Sequence, residues 1–241
     1  MTLELLNAFR YAPPPRWEEG LLFDIWRNLI QADRYQMLLD GLWLTLQISL
    51  LAVIMGTVFG FILALLKMSK RKPLRAIATT YISTIRGIPL VLQLMLMRWV
   101  ILPQEVSLLW VCVITFGMHS GAYVAEIFRA GILSVEHGQT EAGRSLGLSS
   151  TKTMSLIIFP QAIKNALPSL GNEFIILFKD TSIVGFIGAQ DLTMMANVIR
   201  SRTFSAFVPL IAAALIYLVV VLTLTWLLGK LERRLRKSDS R

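Results

Sequence analysis

From Leu42 to Leu66 the chain runs for 25 residues without a charge, and that run decides what the molecule can be. A spanning helix needs about 20 mostly apolar residues, which at about 1.5 Å each cross the roughly 30 Å of hydrocarbon in a bilayer. Phe207–Leu228 is a second uncharged run. With no water at that depth, every backbone N–H and C=O must be paired within the segment, so such runs fold as helices. Composition agrees: hydrophobic residues make up 55% of the chain and charged ones 16%, against roughly 45–50% and about 25% in soluble domains. The net charge of +9 does not point to nucleic acid, because the basic residues cluster at the ends of apolar segments, as they do at a membrane surface. Cys112 stands alone in an apolar run, so neither a disulfide framework nor a metal site is expected. Met1–Gly41 lacks the basic start and continuous apolar core of a cleavable signal peptide.

The remaining segments follow in order. Residues 1–20 read as irregular, with Pro13, Pro14 and Pro15 forming a stiff extended stretch. Leu21–Leu39 alternates Leu22, Ile25, Trp26, Leu29 and Ile30 with polar residues, which predicts an amphipathic helix in the interface. Within the first span, Gly56, Gly60 and Ala64 form a small-residue ridge suited to close helix packing. Lys67, Lys70, Arg71, Lys72 and Arg75 then follow with no acid among them, which assigns that loop to the cytoplasm and the N-terminus to the outside. A second span, about 76–101, contains Arg86, Gly87 and Pro89, which should break or kink it. A third, 107–128, ends near Glu126 and Arg129, spaced to pair on one face. Pro160 and Pro168 argue against a straight helix through that region, and the fourth span is placed at about 167–187 with Asn172, Glu173, Lys179 and Asp180 in it. That polar load implies a face on an aqueous pathway. A short outer helix at about 189–205 and the clean span 207–228 complete the chain. The tail from Lys230 carries six basic residues against Glu232 and Asp239, and so lies inside. The expected fold is an all-α integral membrane protein of about five transmembrane helices, N-terminus out and C-terminus in.

One polar segment stands out among the apolar ones: His137–Leu148, HGQTEAGRSLGL. It reads as a helix of about two turns with Thr140 as N-cap, Glu141 in the first turn and Gly147 in the left-handed position that ends it. Gly143 and Gly147 lie four apart, which would leave one face almost bare backbone for a partner to approach. No catalytic constellation accompanies it. His119 and His137 are the only histidines, and no GxxxxGK[ST] phosphate loop is present. ATP hydrolysis by that route is therefore not expected in this chain.

The string Gly138-Gln139-Thr140-Glu141-Ala142-Gly143, then Gly147, then Ile158-Phe159-Pro160, resembles the "EAA…G…I-LP" signature of ABC importer permeases. With Arg86-Gly87-Ile88-Pro89 upstream and Lys179-Asp180-Thr181-Ser182 downstream, it is similar to the polar amino acid uptake branch. The resemblance runs from about Gly41 to Lys230, with Gly143 where a third alanine is usual and Phe159 where leucine is usual. It implies an extracytoplasmic or interfacial extension at 1–41, a permease domain at 42–230 and a basic cytoplasmic tail at 231–241. It also implies that Gly138, Glu141, Ala142, Gly143 and Gly147 dock into a groove on a separate ATPase subunit, which would hold ATP and magnesium; no cofactor is expected in this chain. The further partners implied are a second, identical or similar permease, an extracytoplasmic substrate-binding protein, membrane lipid and a polar amino acid, in the inner membrane of a bacterium.

A zwitterionic amino acid needs a donor for its carboxylate and an acceptor for its ammonium group. By depth and polarity, Arg86, Gln93, Arg98, His119, Asn172 and Glu173 are the pathway candidates. Arg98 either faces the pathway, favouring an anionic side chain such as that of glutamate or aspartate, or snorkels to the outer interface. The rival reading is an ion-gradient-driven transporter with Glu173, Glu126 and His119 as relays; it lacks a visible inverted repeat. A membrane scaffold would leave the polar residues of the middle spans unexplained.

Overall fold

The computed structural model describes residues 20–239, and side chains through Arg234. The expected irregular stretch with Pro13–Pro15 lies outside the described residues. Every described element is helical. A short helix α1 (Leu21–Ile25) continues through a π turn, Trp26–Ile30, and a 3-10 turn, Gln31–Asp33, into α2 (Arg34–Lys67). After the basic loop come α3 (Lys72–Gly87), α4 (Leu90–Leu96) with a π turn at Met97–Ile101, and α5 (Leu108–Leu133). The second half holds α6 (His137–Ser145), α7 (Ser150–Thr153) with a π turn at Met154–Ile158, and α8 (Phe159–Asp180). A 3-10 stretch, Thr181–Ile187, then leads to α9 (Leu192–Thr203) and α10 (Phe207–Asp239). Among the described residues, three helical stretches are long and apolar enough to cross a membrane, or up to five if the bent pairs α3–α4 and α7–α9 each count as one.

The centre is the α2–α5 pair. A Cβ on Gly60 would stand 2.7 Å from the Gly121 carbonyl oxygen and from the Val124 side chain, and one on Gly56 2.9 Å from Ser120 Cβ. The predicted glycine ridge is therefore the contact surface, and Gly117 and Gly121 of α5 answer it by receiving Met55 and Phe59. Backbones at this distance gain dispersion contacts that larger side chains would prevent. At the end opposite the basic loop, Gly41 of α2 abuts the Asp191 backbone, and Thr45 Oγ1 accepts from Leu192 N at 3.2 Å. Asp191, fully buried, caps α9 by accepting from Thr193 N and Met194 N, both at 3.0 Å. The α10 helix is peripheral: 17% of its apolar window is buried, against 61% for α5.

Two sequence expectations change and one holds. Leu21–Leu39 is not one amphipathic helix. Ala32 and Asp33 both take positive φ (56° and 54°) and turn the chain, so Arg34–Leu39 begins α2, and residue 41 lies within that helix. Amphipathic periodicity is blind to such a turn, because neither residue is a glycine. The second span breaks where Gly87 and Pro89 foretold: α3 and α4 are set 104° apart at Ile88-Pro89. Conversely, α8 continues through Pro168 as one 22-residue helix starting at Phe159. Pro160 sits in its first turn, where no N–H is needed, and Pro168 removes a single bond from a helix pressed onto α5 at Gly131, Ala162 and Ala166. The outer helix expected near 189–205 is α9.

Candidate functional site

Two polar regions break the apolar bundle. The first is a cleft of about 450 Å³ between α3, α5 and α8, lined by Arg86, Tyr123, Glu126, Asn165, Ser169 and Glu173 among others. Arg86 leans its guanidinium over the Tyr123 ring, 4.9 Å from the centroid. Glu173, 6% exposed, accepts from Ser120 Oγ at 2.9 Å. Glu126 is already neutralised: Lys67 of α2 bonds its Oε1, and Arg129 Nε donates to its Oε2 at 2.8 Å. The predicted Glu126–Arg129 pair is thus one edge of a triad that also ties α2 to α5. Among the described residues, neither Arg86 nor Glu173 belongs to an ion pair. A guanidinium and a carboxylate without ionic partners therefore open on the same space. Glu173 also lines an adjoining cleft of about 600 Å³ with Asn172, Thr225 and Glu232.

The six pathway candidates separate into three groups. Arg86, Asn172 and Glu173 reach these clefts. Gln93 and His119 line neither; they bond to each other, Nδ1 to Oε1 at 3.3 Å, beside the α3–α4 break. Arg98 lines neither cleft and reaches instead to the Leu102–Val106 turn, the end of the span toward which snorkelling was weighed. Its Nη1 donates to the carbonyls of Gln104 (3.2 Å) and Val106 (3.5 Å), and Gln104 Nε2 returns a bond to Arg98 O at 3.1 Å, so it fastens the α4–α5 turn. Ser120 and Tyr123 are not among the pathway candidates, yet they hold Glu173 and Arg86. The helical spacing His119, Tyr123, Glu126, Ala130 along α5 would have placed Tyr123 on the polar face.

The second region is α6. It starts at His137, with Glu136 in the N-cap position, so Thr140 lies inside the helix and is not its cap. Extended backbone at Glu136 (φ −55°, ψ 134°) already begins the helix one turn earlier. Its end is as expected. Gly147 takes φ +80°, its N–H bonds Arg144 O at 3.0 Å, and Leu148 N–H bonds Gly143 O at 3.1 Å, the paired bonds of a Schellman stop. Gly138, Glu141, Ala142 and Gly147 are exposed, and open space surrounds the Cα of Gly138 and Gly147. Gly143 points the other way. A Cβ there would meet Thr153 Cγ2 at 2.7 Å and Ile157 Cδ1 at 3.0 Å, so its small size serves packing within the chain. Exposed Glu141 pairs with His137 Nδ1 at 3.1 Å.

Residues 56–237 match the family model described as binding-protein-dependent transport system inner membrane component. The arginine transport system permease protein of Bacillus subtilis (strain 168) is 41% identical over 206 residues, covering 84% of this chain and 94% of that protein. A putative glutamine transport system permease protein of Rickettsia bellii is 38% identical, covering 82% and 92%. Among solved structures, a chain from the crystal structure of an amino acid ABC transporter with histidines superposes with a TM-score of 0.80 at 45% identity, covering 84% of this chain and 96% of its own. The chain belongs to the family of binding-protein-dependent transport system inner membrane components, the membrane-spanning permeases.

Proposed function

We propose that this chain is the membrane-spanning subunit of an ATP-driven importer that carries a polar amino acid into a bacterial cell across the inner membrane. The observation that carries this reading is the cleft holding Arg86 and Glu173, each free of an ion pair. A guanidinium offers the fork that binds an α-carboxylate, and a buried carboxylate accepts from an α-ammonium. The relatives named for arginine and glutamine transport support the same substrate class. A preference for glutamate or aspartate rested on Arg98, whose contacts with the turn carbonyls remove that support.

The basic loop Lys67–Arg75 and the C-terminal tail lie on the cytoplasmic side, by the positive-inside rule, and α6 lies there too. Its exposed Gly138, Glu141, Ala142 and Gly147 dock on an ATPase subunit that holds ATP and magnesium. A second permease completes the pathway, and an extracytoplasmic binding protein delivers the substrate. Nucleotide-driven closure of the ATPases moves α6 and alternates which side the cleft faces. Mild-detergent purification of the tagged native complex tests this. An ATPase should co-purify with the wild type and be lost or uncoupled with Gly147→Asp. Absence of any ATPase, with the variant behaving as wild type, would turn the assignment toward a gradient-driven transporter.

A further inference from the structure

The elbow between α3 and α4 begins two residues beyond Arg86. Ile88 (φ −102°, ψ 132°) and Pro89 (φ −56°, ψ 134°) are extended, and the helix axes on either side differ by 104°. Such a break leaves the last carbonyls of α3 without helical donors, and Pro89 has no N–H to offer. At membrane depth, water does not make good the loss.

Gln93, 7% exposed, does so. Its Nε2 donates to Ile85 O at 2.7 Å and to Ile88 O at 2.8 Å, the carbonyls of the residues flanking Arg86-Gly87. With both amide hydrogens so placed, its Oε1 must accept, and His119 Nδ1 donates to it at 3.3 Å. The His119 ring packs on Tyr123 at 5.1 Å between centroids, and Tyr123 carries the Arg86 guanidinium on its face at 4.9 Å. The contacts close a circuit: the backbone around Arg86 is held by Gln93, Gln93 by His119, His119 against Tyr123, and Tyr123 under the Arg86 side chain.

We infer that Gln93 and His119 are positioning residues for substrate binding: they fix the α3–α4 elbow and thereby aim Arg86 into the cleft without touching the substrate. Neither lines the cleft. The inference rests on the cleft reading above for the role of Arg86; the circuit itself is independent of it.

The test uses the permease–ATPase complex in nanodiscs without binding protein, titrated with a panel of radiolabelled proteinogenic amino acids. Gln93→Leu should weaken binding of the preferred amino acid about tenfold, the size of one lost hydrogen bond to a charged group. The double variant with Arg86→Ala should bind no more weakly than Arg86→Ala alone. His119→Leu should reproduce the Gln93→Leu loss, and His119→Asn, which keeps a donor near the Nδ1 position, should recover most of it. Additive losses in the double variant, or wild-type binding by both Gln93→Leu and His119→Leu, would overturn the positioning role. If Arg86→Ala binds like the wild type, or no amino acid binds, the cleft reading fails, and the elbow is judged by structure alone. A cryo-EM structure of the Gln93→Leu complex should then show the guanidinium displaced from the Tyr123 ring. Arg86 still seated over that ring would end the proposal.

Discussion

The α2–α5 pair and the walls of the cleft are built on opposite principles, although they share α5. Along the pair, Gly56, Gly60, Gly117 and Gly121 bring helices together at distances where one added methyl would collide. Around the cleft, α3 is broken from α4, α8 carries Pro168 and Asn172, and α5 presents Tyr123 and Glu126 to open space. The pair is sealed by backbone contact, whereas the cleft walls keep polar side chains around an open space. A transporter needs both, because elements that swing must swing against something that does not. The Lys67–Glu126–Arg129 triad sits where the two meet, with one partner on α2 and two on α5.

Predictions that break this contrast rank by size. Gly60→Leu should have the largest effect. It forces a side chain into the Gly121 backbone and Val124, at about 3 kcal/mol for overpacking, and should abolish recovery of folded complex on size exclusion. Gly60→Ala returning at wild-type melting temperature would refute the close packing. Glu173→Gln comes next. The complex should assemble with an unchanged melting temperature, while amino acid uptake falls about thirtyfold, as for loss of a charge-assisted bond of about 2 kcal/mol. Equal uptake would remove Glu173 from the pathway. Lys67→Met leaves Glu126 to Arg129 alone and should lower stability by about 1 kcal/mol in thermal unfolding, since the triad is partly exposed; no change would make the α2–α5 tie incidental. Smallest is Arg98→Ala, which loosens the Gln104–Val106 turn. It should cost under about 1 kcal/mol and leave amino acid preference in uptake competition unaltered; a changed preference would return Arg98 to the pathway.

The rigid half was the more legible of the two in the sequence. Gly56 and Gly60 announce a ridge because only contact explains paired small residues in a long apolar run, and Gly147 announces a stop because the left-handed position is nearly its own. The break at Gly87–Pro89 was legible for a similar reason, since proline removes a donor wherever it stands. What depends on the direction of a side chain was not. Gly143 and Gly147 look equivalent by spacing, yet one faces Thr153 and the other open space. Gln93, His119 and Arg98 look like pathway residues by depth and polarity, but hydrogen bonds direct the first two to the elbow and the third to a turn. Pro168 misleads by the same rule that succeeds at Pro89, because neighbouring packing can hold a helix together through one missing bond.

The most direct test of the central claim is amino acid uptake by the co-purified complex with its binding protein, in proteoliposomes with enclosed ATP and the ion gradients collapsed. Wild type should still accumulate the amino acid, and Glu173→Gln, equally well assembled, should take it up about thirtyfold more slowly. Uptake that stops with the gradients, or that proceeds equally in the variant, would contradict an ATP-driven pathway through the cleft of Arg86 and Glu173.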